Sequence, residues 1–237
     1  TMKRPNVDSA EIAQFDAHAD AWWDPDGPFA PLHAINPLRL GYIKQHCPVL
    51  KGVQTLDVGC GGGLLAEALA TEGAQVTGID LAENSLAVAQ EHANDRQMDI
   101  TYQCISAEAL AQKHAAAWDI LTCLEMLEHV PNPSSVIEAC AQLVKPGGKL
   151  FFSTLNRTSK AWVHAIFGAE YLLRLLPRGT HDHAAFITPA ELDSWARRAG
   201  LQLLNMTGLH YQPLSREYTL GEGVDVNYLC VYQKVAD

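Results

Sequence analysis

Four glycines between an apolar run and a helical pattern constrain this chain more than any other feature. Residues Val53 to Val58 are mostly apolar or β-branched, as in a buried parallel strand, and leucine and alanine recur at helical spacing from Leu64. The glycines at positions 59, 61, 62 and 63 therefore lie on a strand-to-helix turn. Because glycine has no Cβ atom and adopts positive φ readily, such a turn admits a ligand close to the backbone, beside the free N–H groups of a helix start.

An acidic residue follows this loop at the distance typical of a nucleotide-type ligand. A second short strand, Ala74 to Asp80, ends in the carboxylate. In doubly wound folds an acid about 20 residues beyond the loop binds ribose hydroxyls. The dinucleotide pattern G-x-G-x-x-G is not met, because Leu64 stands where the last glycine is needed. The loop therefore predicts a ligand that has no pyrophosphate.

Two motifs carry a resemblance to a known class. The loop, preceded by Asp57, resembles the first motif of the class I S-adenosylmethionine-dependent methyltransferases, and the segment Gly78-Ile79-Asp80 resembles the second. The resemblance implies S-adenosyl-L-methionine as the cofactor. The residues of this part of the chain that we expect to bind it are Asp57, Gly59, Gly61, Asp80 and Leu81.

The same class implies the fold. The helix over 134–143, the Lys-Pro-Gly-Gly turn over 145–148 and the strand over 149–154 match its later elements. We expect an α/β fold: a Rossmann-like, doubly wound, mostly parallel seven-stranded sheet with a C-terminal antiparallel hairpin and an N-terminal helical lid. The 237 residues, 48% hydrophobic, suffice for one such domain. Its expected parts are a cap (1–51), a cofactor-binding core (52–155), an insertion (156–188), and a C-terminal helix and hairpin (189–237).

Charge and cysteine usage exclude other classes. The formal net charge of −10 and the scattered Lys and Arg argue against a nucleic-acid partner and favour a small-molecule substrate. The six cysteines form no C-x-x-C pair and indicate reduced thiols of a cytosolic protein. No apolar run is long enough to span a bilayer, and no secretory pattern opens the sequence. We therefore expect a cytoplasmic location.

The segment before the first strand contains a predicted lid and a cofactor ligand. Asp8-Ser9 is typical of the start of an amphipathic helix, and Trp22-Trp23 precedes a Pro/Gly-rich turn. The tryptophans either fold over the cofactor or, as we prefer for each alone, pack the first helix onto the body. A second helix is predicted to open at Asn36-Pro37. It carries Arg39, whose guanidinium group suits the carboxylate of the methionyl part of the cofactor.

Two further strands end at predicted ligand positions. The third strand, Ile100 to Cys104, is followed by Ser106 and Ala107, which we expect near the adenine. The fourth strand, Trp118 to Leu124, is mostly apolar, as a central parallel strand is. It leads directly into the segment with the most polar chemistry.

That segment contains Glu125, Glu128 and His129. If a helical turn follows the fourth strand, the three side chains share one face. Two carboxylates and an imidazole are suitable ligands for Mg²⁺ or Zn²⁺, which would hold two vicinal oxygens of a substrate. A second interpretation makes His129 a general base, since its ordinary pKa of about 6.5 suits proton removal near neutrality. A third makes Glu125 a hydrogen-bonding acid at the cofactor. The sequence leaves these open.

Longer matches over nearly the full chain resemble the ubiquinone biosynthesis O-methyltransferase family. They are the runs 35–43, 125–130, 152–157, 168–171, 179–182 and 223–228. The resemblance implies O-methylation of polyprenylated catechol-type intermediates, 2-polyprenyl-6-hydroxyphenol and 3-demethylubiquinol, and other enzymes of that pathway as candidate partners. It implies that Arg39, Gly59, Asp80 and Leu124 bind the cofactor. Eukaryotic members use the positions of Glu125, Glu128 and His129 for a divalent metal.

One segment has two possible roles, and three alternative functions remain open. Lys160 to Arg178, rich in aromatic residues and leucine with basic residues near both ends, is either a peripheral membrane contact or a wall of the substrate pocket. A nicotinamide oxidoreductase would share the sheet but bind a pyrophosphate. A non-catalytic membrane module would rest on that segment alone. Within the methyltransferases, a quinone C-methyltransferase or another small-molecule enzyme is the alternative.

Overall fold

The computed structural model describes residues 6–155, 186–212, 214–215 and 217–236. Eight strands in these ranges form one sheet: β1 (Gln54–Val58), β2 (Gln75–Asp80), β3 (Ile100–Cys104), β4 (Trp118–Leu124), β5 (Val144–Leu155), β6 (Leu201–Gln212), β7 (Glu217–Gly221) and β8 (Asn227–Lys234). The α-helices of the same ranges are α1 (Ser9–Ala17), α2 (Ala30–His46), α3 (Leu64–Thr71), α4 (Glu83–Asp95), α5 (Ala107–Ala111), α6 (Pro133–Leu143) and α7 (Pro189–Arg198). Most of the predicted insertion, residues 156–185, lies outside the described residues.

The strand order is β3-β2-β1-β4-β5-β8-β6-β7. Strands β1 to β5 pair in parallel, and β8 lies antiparallel between β5 and β6. The predicted fold class, a doubly wound and mostly parallel sheet with a C-terminal antiparallel hairpin, is confirmed. The described sheet has eight strands instead of seven, because β7 in the polar connection after β6 pairs with it.

The order reverses between β1 and β4. From β1 the sheet continues through β2 and β3 in one direction, and from β4 through β5 in the other. In open α/β sheets, ligands bind outside the carboxyl ends of the strands at such a reversal. The glycine loop follows β1 and Glu125 follows β4, so the topology brings both predicted ligand segments to one point.

Helices cover both faces of the central strands. In β4, Leu121 and Cys123 pack into the core under α6, whereas Ile120 and Leu124 pack into the opposite core, under α2 and α3. Successive side chains of a strand point to opposite faces, so a strand covered on both sides is apolar along its whole length. This explains the continuous apolar character from which the fourth strand was predicted.

Of the two N-terminal helices, α1 begins where the sequence predicted and α2 begins earlier. Helix α1 begins after Asp8, whose side chain accepts hydrogen bonds from the first turn, as predicted. Helix α2, predicted to open at Asn36-Pro37, already begins at Ala30 and contains Pro37 in its interior. Proline removes one helical hydrogen bond there. The buried side chains of Ile35 and Tyr42, before and after the proline, hold both halves against the body.

The Lys-Pro-Gly-Gly segment is part of a strand and not a separate turn. It lies within β5, where the register with β4 shifts between Trp118 and Ile120. Gly147 has a φ of 79°, which only glycine adopts without strain.

The described helices include none that is both long enough and apolar enough to cross a membrane.

Candidate active site

A cavity opens at the reversal point of the sheet. Its empty volume, including the open mouth, is about 1170 Å³. Each predicted cofactor-binding residue lines it: Arg39, Asp57, Gly59, Gly61, Asp80, Leu81, Ser106, Ala107 and Leu124. Of the three residues predicted on the acceptor side, Glu125 and His129 line the cavity, whereas Glu128 does not. The predicted cofactor residues therefore share one concave surface.

Glycine is required in the loop for two different reasons, a positive φ at some positions and a lack of space for a side chain at another. Gly59, Gly61 and Gly63 have positive φ values of 72°, 52° and 86°. Gly62 does not, so the expectation of positive φ fails at this position. A Cβ atom on Gly62 would lie 2.3 Å from Cγ of Trp22. The requirement for glycine at position 62 is therefore steric, and the nearest obstacle belongs to the protein itself.

Both tryptophans of the N-terminal segment pack on this loop. Trp22 is buried and stacks on Phe29 with ring centroids 3.8 Å apart, and its Nε1 donates to Ser85 Oγ at 3.0 Å. Trp23 Nε1 donates to the carbonyl oxygen of Gly62 at 3.0 Å. These contacts agree with the packing interpretation preferred for each tryptophan. No local sequence pattern indicates that the two tryptophans pack on the glycine loop.

Asp80 binds the backbone of the loop that it faces. Its Oδ2 accepts a hydrogen bond from Gly61 N at 2.8 Å, and its Oδ1 accepts from Leu81 N and Ala82 N at 2.7 and 2.9 Å. Burial raises the pKa of this carboxyl group, although the three backbone donors act to lower it. The carboxylate therefore fixes the loop conformation from the end of the neighbouring strand.

Arg39 is a buried cation with free donors. Its Nε and Nη2 atoms are buried and have no hydrogen-bond partner among the described residues. Nη2 lies 3.4 Å from Glu125 Oε1, and the two side chains are 7% and 17% exposed. A buried guanidinium nitrogen without an acceptor is costly. Because Arg39 also lines the cavity, its guanidinium group is the candidate partner for a bound anion.

Asp57 lies at the base of the same cavity. Its Oδ1 accepts a hydrogen bond from Thr122 Oγ1 at 2.7 Å, across the β1–β4 pair. Burial raises the pKa of Asp57 to about 7, in spite of that hydrogen bond and the nearby Arg39. Burial thus favours the protonated form of this carboxyl group more than in an exposed aspartate.

The metal hypothesis required Glu125, Glu128 and His129 to share one helical face, and they do not. Glu125 has a φ of 53°, so the chain turns sharply before the short 3₁₀ helix Leu127–His129 begins. The backbone N–H of Glu125 donates to Ser153 O and Oγ, each at 3.1 Å. A positive φ in a residue with a side chain costs about 1–3 kcal/mol, and these contacts hold it in place.

Each of the three side chains has its own partner. Glu125 Oε1 accepts from Ser153 Oγ at 2.9 Å and Glu128 Oε2 accepts from Thr154 Oγ1 at 2.9 Å. His129 Nδ1 lies 2.9 Å from Glu11 Oε2. Across the described ranges, no group of three or more His, Cys, Asp or Glu residues is arranged to hold a metal ion. The described residues therefore give no support to the predicted Mg²⁺ or Zn²⁺ ligand set.

The environment of this segment shifts two pKa values upward. Burial and the nearby Glu125 carboxylate raise the pKa of Glu128 to about 7. Burial lowers the pKa of His129, but the hydrogen bond to Glu11 and the surrounding carboxylates outweigh it, so the pKa lies above its ordinary value. The imidazole therefore retains its affinity for a proton although it is largely buried.

The remaining predicted residues lie along the cavity wall. Ser106 caps α5, its Oγ accepting from Ala109 N at 3.2 Å, and Ala107 begins that helix. Leu124 is buried at the end of β4. Sequence analysis assigned no role to Glu11, Ser153 or Asn227, of which the last donates to Glu125 Oε1 at 3.3 Å. They lie up to 118 residues from the groups that they contact, so no spacing pattern indicates them.

Comparison with known proteins agrees with this geometry. A family model described as a methyltransferase domain matches residues 43–205. Among solved structures, an S-adenosylmethionine-dependent methyltransferase from Thermotoga maritima superposes with a TM-score of 0.69 at 15% identity, covering 94% of this chain and 99% of that one. Magnesium protoporphyrin IX methyltransferase from Synechocystis, with bound S-adenosylmethionine, gives 0.65 at 17%, covering 98% and 100%. The fold and the matched domain define the class: a methyltransferase.

Curated relatives narrow the class to one family. A ubiquinone biosynthesis O-methyltransferase from Nitrosococcus oceani is 58% identical over 226 residues, covering 95% of both chains. One from Escherichia coli is 55% identical over 228 residues, covering 96% of this chain and 95% of that one. The chain belongs to the ubiquinone biosynthesis O-methyltransferase family. The resemblance read from the sequence is confirmed.

Proposed function

We propose that this protein transfers the methyl group of S-adenosyl-L-methionine to phenolic hydroxyls of polyprenylated intermediates in ubiquinone biosynthesis. The acceptors are 2-polyprenyl-6-hydroxyphenol and 3-demethylubiquinol, two phenols of one chemical class. The names of relatives at 55–58% identity support the pathway and the transfer to oxygen. The assignment of individual residues rests on the cavity.

One observation carries the cofactor proposal: the buried guanidinium group of Arg39, a residue that lines the cavity, has two nitrogens without a hydrogen-bond partner among the described residues. The methionyl part of the cofactor has a carboxylate, and an arginine fork binds a carboxylate bidentately. Glu125 Oε1, 3.4 Å from Nη2, supplies a negative charge at the same place for the methionyl ammonium. The zwitterion of the cofactor thus meets one cation and one anion.

We assign the nucleoside part of the cofactor to Asp80 and the lining residues near it. An ionised carboxylate has about four acceptor sites, and Asp80 uses three of them for backbone N–H groups. The fourth is available for a ribose hydroxyl. Ser106, Ala107 and Leu124 line the same cavity, which supports the assignment of the first two to the adenine and of Leu124 to an apolar contact.

The chemical step needs alignment and the removal of one proton. The sulfonium of the cofactor supplies an activated methyl group, so no covalent enzyme intermediate is required. The phenol O–H bond breaks as its proton moves to His129 Nε2. The oxygen's electron pair forms the bond to the methyl carbon as the carbon–sulfur pair returns to sulfur. Because a phenol with a pKa of about 10 is mostly protonated at pH 7, this proton transfer favours the nucleophile.

The polyprenyl tail connects the site with the membrane. We propose peripheral contact at the cytoplasmic face through residues 160–178, which lie outside the described residues. The argument is from sequence: Trp162, Ile166 and Tyr171 are large and apolar or amphipathic, and Lys160 and Arg178 suit anionic head groups. The net charge of −10 makes such binding weak and salt-sensitive. Co-sedimentation with anionic liposomes at low and high salt tests this.

Mass spectrometry with a prenylated catechol and methyl-labelled cofactor tests the reaction. The label should appear on oxygen, and a label on carbon would contradict the proposal. His129→Gln should lower turnover by about 10²–10⁴-fold, whereas the matched control His114→Gln, exposed and outside the cavity, should not. Turnover should persist in EDTA. Activity that EDTA abolishes and Mg²⁺ restores would overturn the assignment of His129 as the base.

A further inference from the structure

Helix α1, which lies outside the sheet, brings a carboxylate to the acceptor side of the cavity. Glu11 Oε2 lies 2.9 Å from His129 Nδ1. The two side chains are 15% and 19% exposed, and both line the cavity. The residues are 118 positions apart in the chain, so this contact depends on where α1 docks.

The contact is held from several directions. The ring of Phe15, one turn after Glu11 on α1, meets the His129 ring edge to face, with centroids 5.4 Å apart at 90°. Asp16, at the end of the same helix, accepts a hydrogen bond from Asn84 N at 3.0 Å. Asn6, before the helix, accepts one from Asn132 N at 2.7 Å. The imidazole therefore contacts an aromatic ring and a carboxylate of one docked helix.

We infer that Glu11 is a positioning residue that selects the tautomer of His129. An ionised carboxylate accepts hydrogen bonds only, so at 2.9 Å the Nδ1 atom of the neutral ring must carry the proton. The lone pair then lies on Nε2, the atom that takes the phenol proton. Without Glu11 the neutral ring is free to place its proton on Nε2, where it blocks proton transfer. This inference rests on the proposed role of His129.

The first measurement reads the tautomer without turnover. In protein labelled with ¹⁵N-histidine, the shifts of the two ring nitrogens report which one is protonated, and His129→Gln identifies the signal among the ten histidines. Wild type should show neutral His129 with the proton on Nδ1. Glu11→Ala should shift the population toward Nε2–H, and Glu11→Gln, whose amide oxygen still accepts, should restore Nδ1–H. An Nδ1–H tautomer in Glu11→Ala overturns the inference.

The second measurement is kinetic. Glu11→Ala should lower kcat by about 10- to 100-fold, a part of what a positioned base contributes, with the KM for the cofactor unchanged, and Glu11→Gln should recover most of the loss. Asp16→Ala is the control, because it loosens the docking of α1 but keeps Glu11. An equal loss of kcat in Asp16→Ala would show that docking alone matters and would overturn the inference.

The two proposals fail in different ways. If His129→Gln keeps full turnover, the base assignment is wrong whatever the tautomer in the Glu11 variants. If His129→Gln is inactive but Glu11→Ala has wild-type kcat, the base assignment stands and the positioning role of Glu11 is overturned. Calorimetric binding of S-adenosylhomocysteine by each variant establishes that it is folded.

Discussion

Substitution of Gly62 by alanine tests whether the N-terminal segment and the cofactor loop form one packed unit. The φ of Gly62 lies outside the left-handed region, so alanine meets no backbone strain there and only the new methyl group acts. That methyl group would lie 2.3 Å from Cγ and 2.5 Å from Cβ of Trp22. The ring has little room to move, because it stacks on Phe29 and its Nε1 is bound to Ser85.

The expected cost is that of overpacking a core by one carbon. Such substitutions destabilise a protein by about 1–3 kcal/mol. At about 2–4 °C per kcal/mol for a domain of this size, Tm should fall by about 2–12 °C, which circular dichroism measures directly. Because Trp22 lines the cofactor cavity, its displacement should also weaken binding of S-adenosylhomocysteine in a calorimeter.

Two variants isolate the cause. Gly41→Ala is the matched control: position 41 is exposed in α2 and a Cβ atom there meets nothing within 4 Å, so alanine should stabilise the protein by about 0.5–1 kcal/mol. In a Trp22→Gly background, which removes the Cβ atom as well as the ring, Gly62→Ala should cost almost nothing, because every clashing atom of residue 22 is absent. If Gly62→Ala is equally destabilising with and without Trp22, the steric explanation is wrong.

Three further predictions concern the cavity. Arg39→Lys should weaken cofactor binding by about 10-fold or more in a calorimeter, because an ammonium cannot form the bidentate pair; unchanged affinity would argue against its carboxylate contact. Asp80→Ala should make the free energy of cofactor binding less favourable by about 1–3 kcal/mol. Equal affinity in the folded variant would contradict the ribose assignment. For Asp57, the folded pKa of about 7 lies above the unfolded value of about 3.9. The folded state therefore binds the proton more tightly, and this group lowers stability as the pH rises from about 4 to 7, by a few kcal/mol at most. Asp57→Asn should flatten that part of the pH profile of urea unfolding; an unaltered slope would mean that Asp57 does not titrate in this range.

The parts of the site that depend on local spacing could be predicted from the sequence, and those that depend on long-range contacts could not. The glycine loop and Asp80 lie at the ends of adjacent parallel strands, so strand positions alone bring them together. The position of Glu125 depends on a positive φ that no propensity indicates. Its partners Ser153 and Asn227 are 28 and 102 residues away. The shared helical face assumed for the metal ligands does not form for this reason, because the chain turns sharply at Glu125.

The contact of Trp22 with the loop is another long-range contact that the sequence did not predict. Sequence analysis explained all four glycines by a ligand that approaches the backbone. At position 62 the close neighbour is instead an aromatic ring from 40 residues earlier in the chain. A glycine requirement reports that something lies close, but it does not report whether that is a ligand or the protein itself.

The position of β8 has a consequence for synthesis on the ribosome. This strand lies between β5 and β6, although it is translated after both. Until it emerges, β5 has an unpaired edge and β6 has no place in the sheet. The nascent chain therefore carries an open edge that is prone to wrong pairing, and the final fold forms only after β8 has left the exit tunnel. Asn227, the first residue of β8, donates a hydrogen bond to Glu125, so this contact at the cavity also forms only after β8 has been synthesised.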